Sequence, residues 1–380
     1  MGASLLAGAS HYSVYICDPY GIRLADASGF VSLQYSRVVN AVSTLKLVLP
    51  ASFQRNLLME DGRIEVWRRL PGASREYLET ETIWLMKAID YNRDDKGRAL
   101  VTIEADTPLC ILREPGRFSY YDSDTAASSV SAAPADDGIK QIARDNIGAT
   151  ALQSTYRDLS AYVTVAPNLS LGATVSKSFA WRDLLKVMQE LAAASTQAGT
   201  YVAFDIVCPM PDTMEFRTYV GQRGADHRFP NGNNPVLIGP DFGNMGACSL
   251  RYDYRNEVTF AVAGGKGEGA ARLQATAQDT TRIGLSPFGL REKFVDATNY
   301  DTTTGLAAEA QAQVRNGRPR TLFRGKLLST DDTRYGVHWG WGDFVTCQAF
   351  GQSLDCRIDA VSVTVSGGKE TVEAVLRNDQ

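Results

Sequence analysis

Residues 260–272, Phe-Ala-Val-Ala-Gly-Gly-Lys-Gly-Glu-Gly-Ala-Ala-Arg, set four glycines around Lys266. Such a pattern can hold phosphate when backbone N–H groups and a helix N-terminus converge on the anion, so a helix must follow the glycines directly. None is expected here. Val258, Phe260 and Val262 alternate with Thr259, Ala261 and Ala263 before the loop, and Leu273, Ala275 and Ala277 alternate with Arg272, Gln274 and Thr276 after it, the two-residue period of strands. No Ser or Thr follows Lys266, Phe260 stands where the Walker pattern has Gly, and Gly265-x-Gly267-x-Gly269 lacks the dinucleotide spacing. Gly264, Gly265, Gly267 and Gly269 therefore read as positive-φ positions in a long hairpin connection.

Other chemistries are equally poorly supplied. His11, His227 and His338 have no second metal-type ligand at helical or hairpin spacing, which argues against zinc hydrolysis. Gly284-Leu285-Ser286-Pro287-Phe288-Gly289 has the wrong spacing for a nucleophile elbow and reads as a turn. Paired carboxylates need no sequence signature, but Asp94-Asp95, Asp136-Asp137 and Asp331-Asp332 all lie in turn contexts, and none fits a calcium loop. Cys17, Cys110, Cys208, Cys248, Cys347 and Cys356 form no C-x-x-C pair and read as buried thiols, with only Cys347 and Cys356 placed to face each other across a hairpin. Arg315, Arg318, Arg320, Arg324 and Lys326 are the one basic concentration, which complements a helix C-terminus. A contact with an acidic partner or passing DNA is the minority reading of that segment. Asn168-Leu169-Ser170 fits a glycosylation sequon but lacks a secretion signal to give it meaning. No catalytic, cofactor-binding or metal-ligating residue is assigned, and no cofactor is expected.

The 380 residues are 44% hydrophobic and 22% charged, ordinary for a globular chain of two or three domains. A formal charge of -4 gives no electrostatic reason for general nucleic-acid or anionic-membrane binding, so proteins are the expected partners. The opening Met-Gly-Ala-Ser-Leu-Leu lacks a basic n-region and long apolar h-region, Leu6 occupies the Ser/Thr position of a myristoylation motif, and no apolar run reaches membrane-spanning length. The expectation is a chain made in the cytosol, without membrane insertion.

The elements that must position any site read as follows. Strands are predicted at Tyr12–Cys17, Val31–Val38, Thr44–Leu49, Ile64–Arg68, Thr82–Tyr91 and Leu100–Ala105, separated by turn chemistry such as Asp61-Gly62. That spacing indicates a small barrel or sandwich. The Ser/Ala-rich acidic stretch 122–137 reads as a loop. Asp137 or its neighbour caps a short helix through Ile139, Ile142 and Ala143, ended by Gly148. A second helix, starting after Ser178, places Trp181, Leu184, Leu185, Met188 and Leu191 on one face before Gly199. Strands near Tyr201–Val207 and Met214–Val220 would floor it. Beyond Gly246 strands resume, with a helix at Thr304–Val314 and strands near Leu322–Leu328, Asp343–Ala349, Cys356–Val365 and Thr371–Leu376. The division is 1–110, a first β-barrel domain; 111–245, an α+β module; and 246–380, a second β-barrel domain with one helix, of which 246–272 alternatively completes the first barrel.

A faint duplication links the two β regions. GRIEVWRRL (62–70) resembles GDFVTCQAF (342–350), and the segment 88–105 resembles 357–376, each with an Ile-Asp pair (Ile89-Asp90, Ile358-Asp359), a glycine-bearing turn and a final alternating strand. The fold class is thus mainly β with an α+β insertion: two related small tube-like β-barrels plus a central helix-containing module.

The chain also resembles the hub proteins at the tail tip, or baseplate, of long-tailed bacteriophages. The match rests on Arg37, Asn40, Leu45, Leu47, Leu49 and Pro50; on Asp106, Leu109, Leu112 and Arg113; on Asn256, Val258, Val262, Gly264, Gly265, Gly269 and Arg272; and on Gly342-Asp343 before Val345. Each motif is short, and order and spacing carry the resemblance over nearly the whole chain. The stretches after Tyr121 and from Gly224 to Asn234 depart from it, as does the lack of a C-terminal hydrolase or fibre-like extension. The resemblance implies a non-enzymatic structural protein of the virion tail tip, assembled in the host cytoplasm. It would be a homotrimer whose paired barrels form a pseudo-sixfold ring joining the hexameric tail tube and distal tail protein to threefold tip fibre or spike proteins. The tape measure protein would be a further partner, and DNA would pass only in transit during genome ejection. Two other readings stand beside it: a carbohydrate-binding or wall-degrading tip protein using Tyr120, Tyr121 and Trp339, or a distal-tail or tube-like hexameric subunit.

Overall fold

The computed structural model describes residues 10–117, 128–151, 154–210, 212–298, 302–328, 330 and 333–378. The protein is mainly β, with 46% strand and 18% helix. Two compact units divide it, one of Met1–Cys248 with Arg324–Arg377 and the other of Ser249–Phe323 with Asn378–Gln380.

The first unit opens with β1 (His11–Cys17), β2 (Arg23–Asp26), β3 (Ser32–Val38), β4 (Thr44–Pro50), β5 (Arg63–Arg69), β6 (Tyr77–Arg93) and β7 (Ala99–Asp106). Alternation builds them: Leu45, Leu47 and Leu49 of β4 point inward while Lys46 faces water. The middle of the chain forms β8 (Ser128–Pro134), α1 (Ala135–Ile147), α2 (Ser154–Arg157), β9 (Val163–Val165), β10 (Thr174–Phe179), α3 (Leu184–Gln197), β11 (Val202–Met210) and β12 (Thr213–Val220). Strands β11, β12 and β9 make one small sheet and β8 pairs with β10. Ile139 and Ile142 of α1 and Leu184, Leu185, Met188 and Leu191 of α3 share one apolar cluster with Phe204 and Phe216 of that sheet, as the helix spacing predicts.

Three local expectations change here. Asp136 and Asp137 sit inside the first turn of α1, which starts after Pro134, and their carboxylates accept N–H groups from the loop at Leu169 and Ser170. Residues 128–134 are a strand rather than loop, while 122–127 lie outside the described residues. Helix α3 starts later than expected: Asp183 accepts the Lys186 N–H at 2.9 Å, Ser178 lies in β10, and Trp181 is exposed ahead of the helix at positive φ.

The chain continues through β13 (Asp226–His227), β14 (Leu237–Ile238) and β15 (Met245–Asp253). The second unit then holds β16 (Phe260–Gly264), β17 (Gln274–Gln278), α4 (Thr280–Ile283), β18 (Glu292–Asp296) and α5 (Thr303–Asn316). Its sheet order is β17-β16-β18. The buried side of β16 carries Ala261 and Ala263 rather than Phe260 and Val262, because Leu306, Ala310 and Val314 of α5 pack directly against it.

The chain then returns as β19 (Arg320–Leu327), β20 (Phe344–Ala349), β21 (Gln352–Ser366) and β22 (Lys369–Asn378). The large sheet runs β15-β19-β22-β21-β3-β4-β7-β6-β5-β1-β2, with β20 on β21 and β13 and β14 on β20. Among the described residues this order has two ends and does not close on itself. It also contains one arrangement twice. The order β3-β4-β7-β6, with β5 beside the other half of β6, recurs as β15-β19-β22-β21, with β20 beside the other half of β21.

The duplicated meander has a different register from the one the Ile-Asp pairs suggest. Met86 donates to Gly62 O (2.9 Å) and accepts from Asp61 N–H, just as Ile358 donates to Asp343 O (2.8 Å) and accepts from Gly342 N–H. A bulge follows each, between Met86 and Ala88 and between Ile358 and Ala360. Ile358 therefore corresponds to Met86, and Gly342 to Asp61; both turn residues take positive φ.

The cap assignment makes a direct test. Asp183→Ala is expected to cost about 1 kcal/mol in urea unfolding, and Ser178→Ala less than about half of that.

Candidate functional site

Leu33, Tyr35 and Arg37 lie on the inward side of β3, which brings a guanidinium into the core. Arg37 is 1% exposed and hydrogen-bonds Asp205 of β11, itself 2% exposed at the side chain. Its guanidinium lies 4.3 Å from the Trp341 ring centroid, and Arg223 stacks on the same ring at 4.3 Å. Three residues on, Asn40 takes φ +56, a conformation Asn tolerates better than most residues. Its Oδ1 accepts the Phe204 N–H at 2.7 Å, its Nδ2 donates to Val202 O at 3.2 Å, and its carbonyl accepts Gln189 Nε2 at 2.7 Å. Arg37 and Asn40 thus bolt β11 and α3 onto the large sheet.

A second buried polar cluster gathers Arg68 of β5, Glu79 of β6 and Glu370 of β22. Arg68 Nη2 lies 2.7 Å from Glu370, and the hydroxyls of Tyr35 and Tyr335 each donate to Glu79 at 2.9 Å. Burial pushes the Tyr12, Tyr35 and Tyr335 hydroxyls well above their ordinary pKa, so all three stay neutral and the latter two remain donors. Such a cluster ties β3, β5, β6 and β22 together.

Gly342-Asp343 forms a third junction. Asp343 accepts N–H groups from Ala225 (2.6 Å) and Gly340 (2.5 Å), with His227 Nε2 at 3.5 Å. Burial raises its pKa against those contacts. A Cβ on Gly224 would fall 2.0 Å from Asp343 Oδ1, so the segment that departs from the family pattern packs on one of the residues that fit it.

A cleft of about 780 Å³ in the first unit is lined by Tyr20, Asp61, Lys87, Asp106, Cys110 and Arg113 among others. Two ion pairs lie within it, Lys87 with Asp61 at 2.5 Å and Arg113 with Asp106 at 2.9 Å. Burial pushes the Cys110 thiol up to about 11, which keeps it protonated and un-nucleophilic at neutral pH.

The residues singled out in the sequence are dispersed. In the glycine-rich loop, Arg272 donates to the carbonyls of Gly264 and Gly265 at 3.1 Å and pairs with Asp296 at 2.5 Å, so a cation occupies the position where a phosphate loop would hold an anion. Gly267 and Gly269 take positive φ; Gly264 does not, and a Cβ there would fall 2.8 Å from Arg272 and Phe294. Asp94 closes the β6–β7 turn as its turn context predicts. Asp331, Asp332, Tyr120 and Tyr121 lie outside the described residues. Trp339 is buried against Tyr335, with ring centroids 5.1 Å apart, so it offers no face to a sugar. Arg315 lies in the last turn of α5, while Arg324 and Lys326 face outward along β19. Five cysteines are buried and free as expected; Cys248 is half-exposed. Cys347 meets Cys356, whose hydrogen bond and the burial push the Cys347 thiol up. Among the described residues no group of three or more His, Cys, Asp or Glu could hold a metal, and no helix is long and apolar enough to cross a membrane. Asp205, Glu79 and Glu370 escaped the sequence reading because Arg37, Tyr335 and Arg68, which they respectively meet, lie more than a hundred residues away, so no local spacing marks these contacts.

Removing one buried partner strands the other charge. Asp205→Ala is expected to cost about 3–5 kcal/mol in urea unfolding, whereas Arg37→Met with Asp205→Leu recovers most of that loss. Asp136 gives a pH signature. Burial alone would raise its pKa, but Lys140 at 2.8 Å, the Thr218 hydroxyl and the Leu169 N–H together hold it below the usual 3.8. Its contribution is present above that value and lost as pH falls through the lowered one, and Asp136→Asn should flatten this part of an acid-unfolding curve measured downward from about pH 4.

Comparison with known proteins agrees with this picture. A family model described as Siphovirus ReqiPepy6 Gp37-like protein matches residues 13–376. No curated protein matches the chain in sequence. Among solved structures, a tail protein from Neisseria meningitidis MC58 aligns with TM-score 0.56 at 12% identity, covering 98% of this chain and 97% of that one. The prophage MuSo2 tail protein from Shewanella oneidensis aligns with TM-score 0.57 at 11% identity, covering 97% and 98%. Prophage tail protein gp18 from Listeria monocytogenes EGD-e aligns with TM-score 0.55 at 13% identity, covering 96% and 94%. At these identities the likeness shows a shared fold. With the family model spanning nearly its whole length, the chain belongs to the Siphovirus ReqiPepy6 Gp37-like family of phage tail proteins, components of the virion.

Proposed function

We propose that the chain is the hub of a siphovirus tail tip: a non-enzymatic homotrimer forming a pseudo-sixfold ring between the hexameric tail tube or distal tail protein and threefold tip proteins. It closes the channel and passes DNA once opened. In this reading residues 1–110 and 246–380 supply the two related tube-like modules and 111–245 the α+β insertion that faces the tip. Tape measure and fibre or spike proteins complete its partners.

The observation that carries the reading is the repeated strand order within one chain, β3-β4-β7-β6 and β15-β19-β22-β21. A polypeptide holding two equivalent modules needs three copies, not six, to present six equivalents around an axis. The non-enzymatic part rests on the polar clusters being buried and, for Tyr35, Tyr335 and Cys110, on those groups being held in their neutral forms.

The test is mass in solution. Purified chain at micromolar concentration should give a particle three times the 41.4 kDa monomer by light scattering or native mass spectrometry. A sixfold particle would favour a distal-tail or tube-like subunit, and a strict monomer would remove the ring.

A further inference from the structure

Strand β21 is long enough to have two neighbours on one side. Its first half, Gln352–Arg357, pairs with β20, and its second half, Ala360–Ser366, pairs with β3 in antiparallel register, Val363 opposite Tyr35. Strand β6 is built the same way, with Tyr77–Leu85 on β5. Its second half has β7 on one side, and among the described residues no strand covers the other.

That open side is chemically complete for pairing. Asp94 N–H donates to Arg98 O at 2.9 Å across the β6–β7 hairpin, so the even-numbered residues of this half bond β7. Ile89, Tyr91 and Arg93 therefore aim their N–H and C=O groups at the open edge. By the bulge correspondence they stand where Val361, Val363 and Val365 meet β3.

The counterpart of β3 is β15, the end strand of the sheet. β3 carries Ser32-Leu33-Gln34-Tyr35 and β15 carries Ser249-Leu250-Arg251-Tyr252. Where the junction is made within the chain, Tyr35 is 1% and Val363 0% exposed; at the two unmade counterparts Tyr252 is 47% and Tyr91 45% exposed. Long uncovered edges with large apolar side chains are a liability that a native assembly covers.

We infer that β15 of one copy pairs antiparallel with Ala88–Arg93 of β6 in the next copy, repeating between chains the β3–β21 junction found inside each. Tyr252 then lies opposite Tyr91 and Leu250 opposite Arg93, and the sheet continues from chain to chain. This interface rests on the homotrimer reading above, while its strand assignment is independent of which tail proteins the ring meets.

Two measurements decide it on the full chain. Cys248 is the half-exposed native cysteine and lies on β15. In an equal mixture of heavy-nitrogen and unlabelled Arg93→Cys protein, whose new thiol would lie opposite Leu250 on the face that carries Cys248, a short bismaleimide should join Cys248 to the introduced thiol, giving peptides with one heavy and one light strand; Cys248→Ser should abolish the product. A particle of trimer mass that yields no mixed cross-link overturns the interface and leaves the ring standing. A monomer at every concentration overturns both. In addition, Tyr91→Pro removes one outward N–H at an edge position where proline is tolerated, and should raise the association midpoint about tenfold or more. An unchanged midpoint counts against the pairing, and an unchanged monomer melting temperature shows that the variant still folds.

Discussion

The buried pair of Arg37 and Asp205 is the constraint on which the first unit depends. Either charge alone in that apolar, ring-lined space would cost several kcal/mol, so the two can be buried only together. Since Arg37 belongs to β3 and Asp205 to β11, the pair obliges the small α+β sheet to dock on the large one. Asn40 then sets the register, because its side chain offers β11 one acceptor and one donor in the manner of a neighbouring strand. The Trp341 ring, shared by Arg37 and Arg223, brings the C-terminal segment to the same point.

The same economy runs through the other buried polar residues. A catalytic carboxylate needs an accessible face and a pKa matched to its task. Glu79 receives two tyrosine hydroxyls and lies beside Arg68 in a buried cluster. The glycine-rich loop follows the same logic with the opposite sign, its carbonyls turned toward Arg272 rather than its N–H groups toward an anion. Buried polarity here fixes which strand meets which.

The repeated strand order has a consequence that neither half shows alone. A sheet edge satisfied in one half and bare in the other is an asymmetry that a single chain cannot relieve, because β3 is already committed to β21. The contrast between Tyr35 and Tyr252, equivalent in sequence and opposite in exposure, is the physical expression of that difference. The ring proposed above would relieve it without any element absent from the monomer.

Much of this was legible in the residues themselves. Alternation located most strands, the Leu184-Leu185-Met188-Leu191 face located α3, and the order of short motifs pointed to the tail-protein family, because those signals are local and repeat with the geometry of strand and helix. Local signals also erred where two residues compete for one role: Ser178 for the cap that Asp183 makes, and Ile89-Asp90 for the correspondence that the bulge gives to Met86. What only the tertiary structure decided was partnership. Arg37 and Asn40 stood out as motif residues without a stated purpose, and their purpose lies in Asp205 and Phe204, more than 160 residues along the chain. Strand pairing is likewise set by cross-strand hydrogen bonds and burial rather than by sequence distance, so the fusion of the first and last β regions through β3 and β21 left no mark that composition or periodicity could carry.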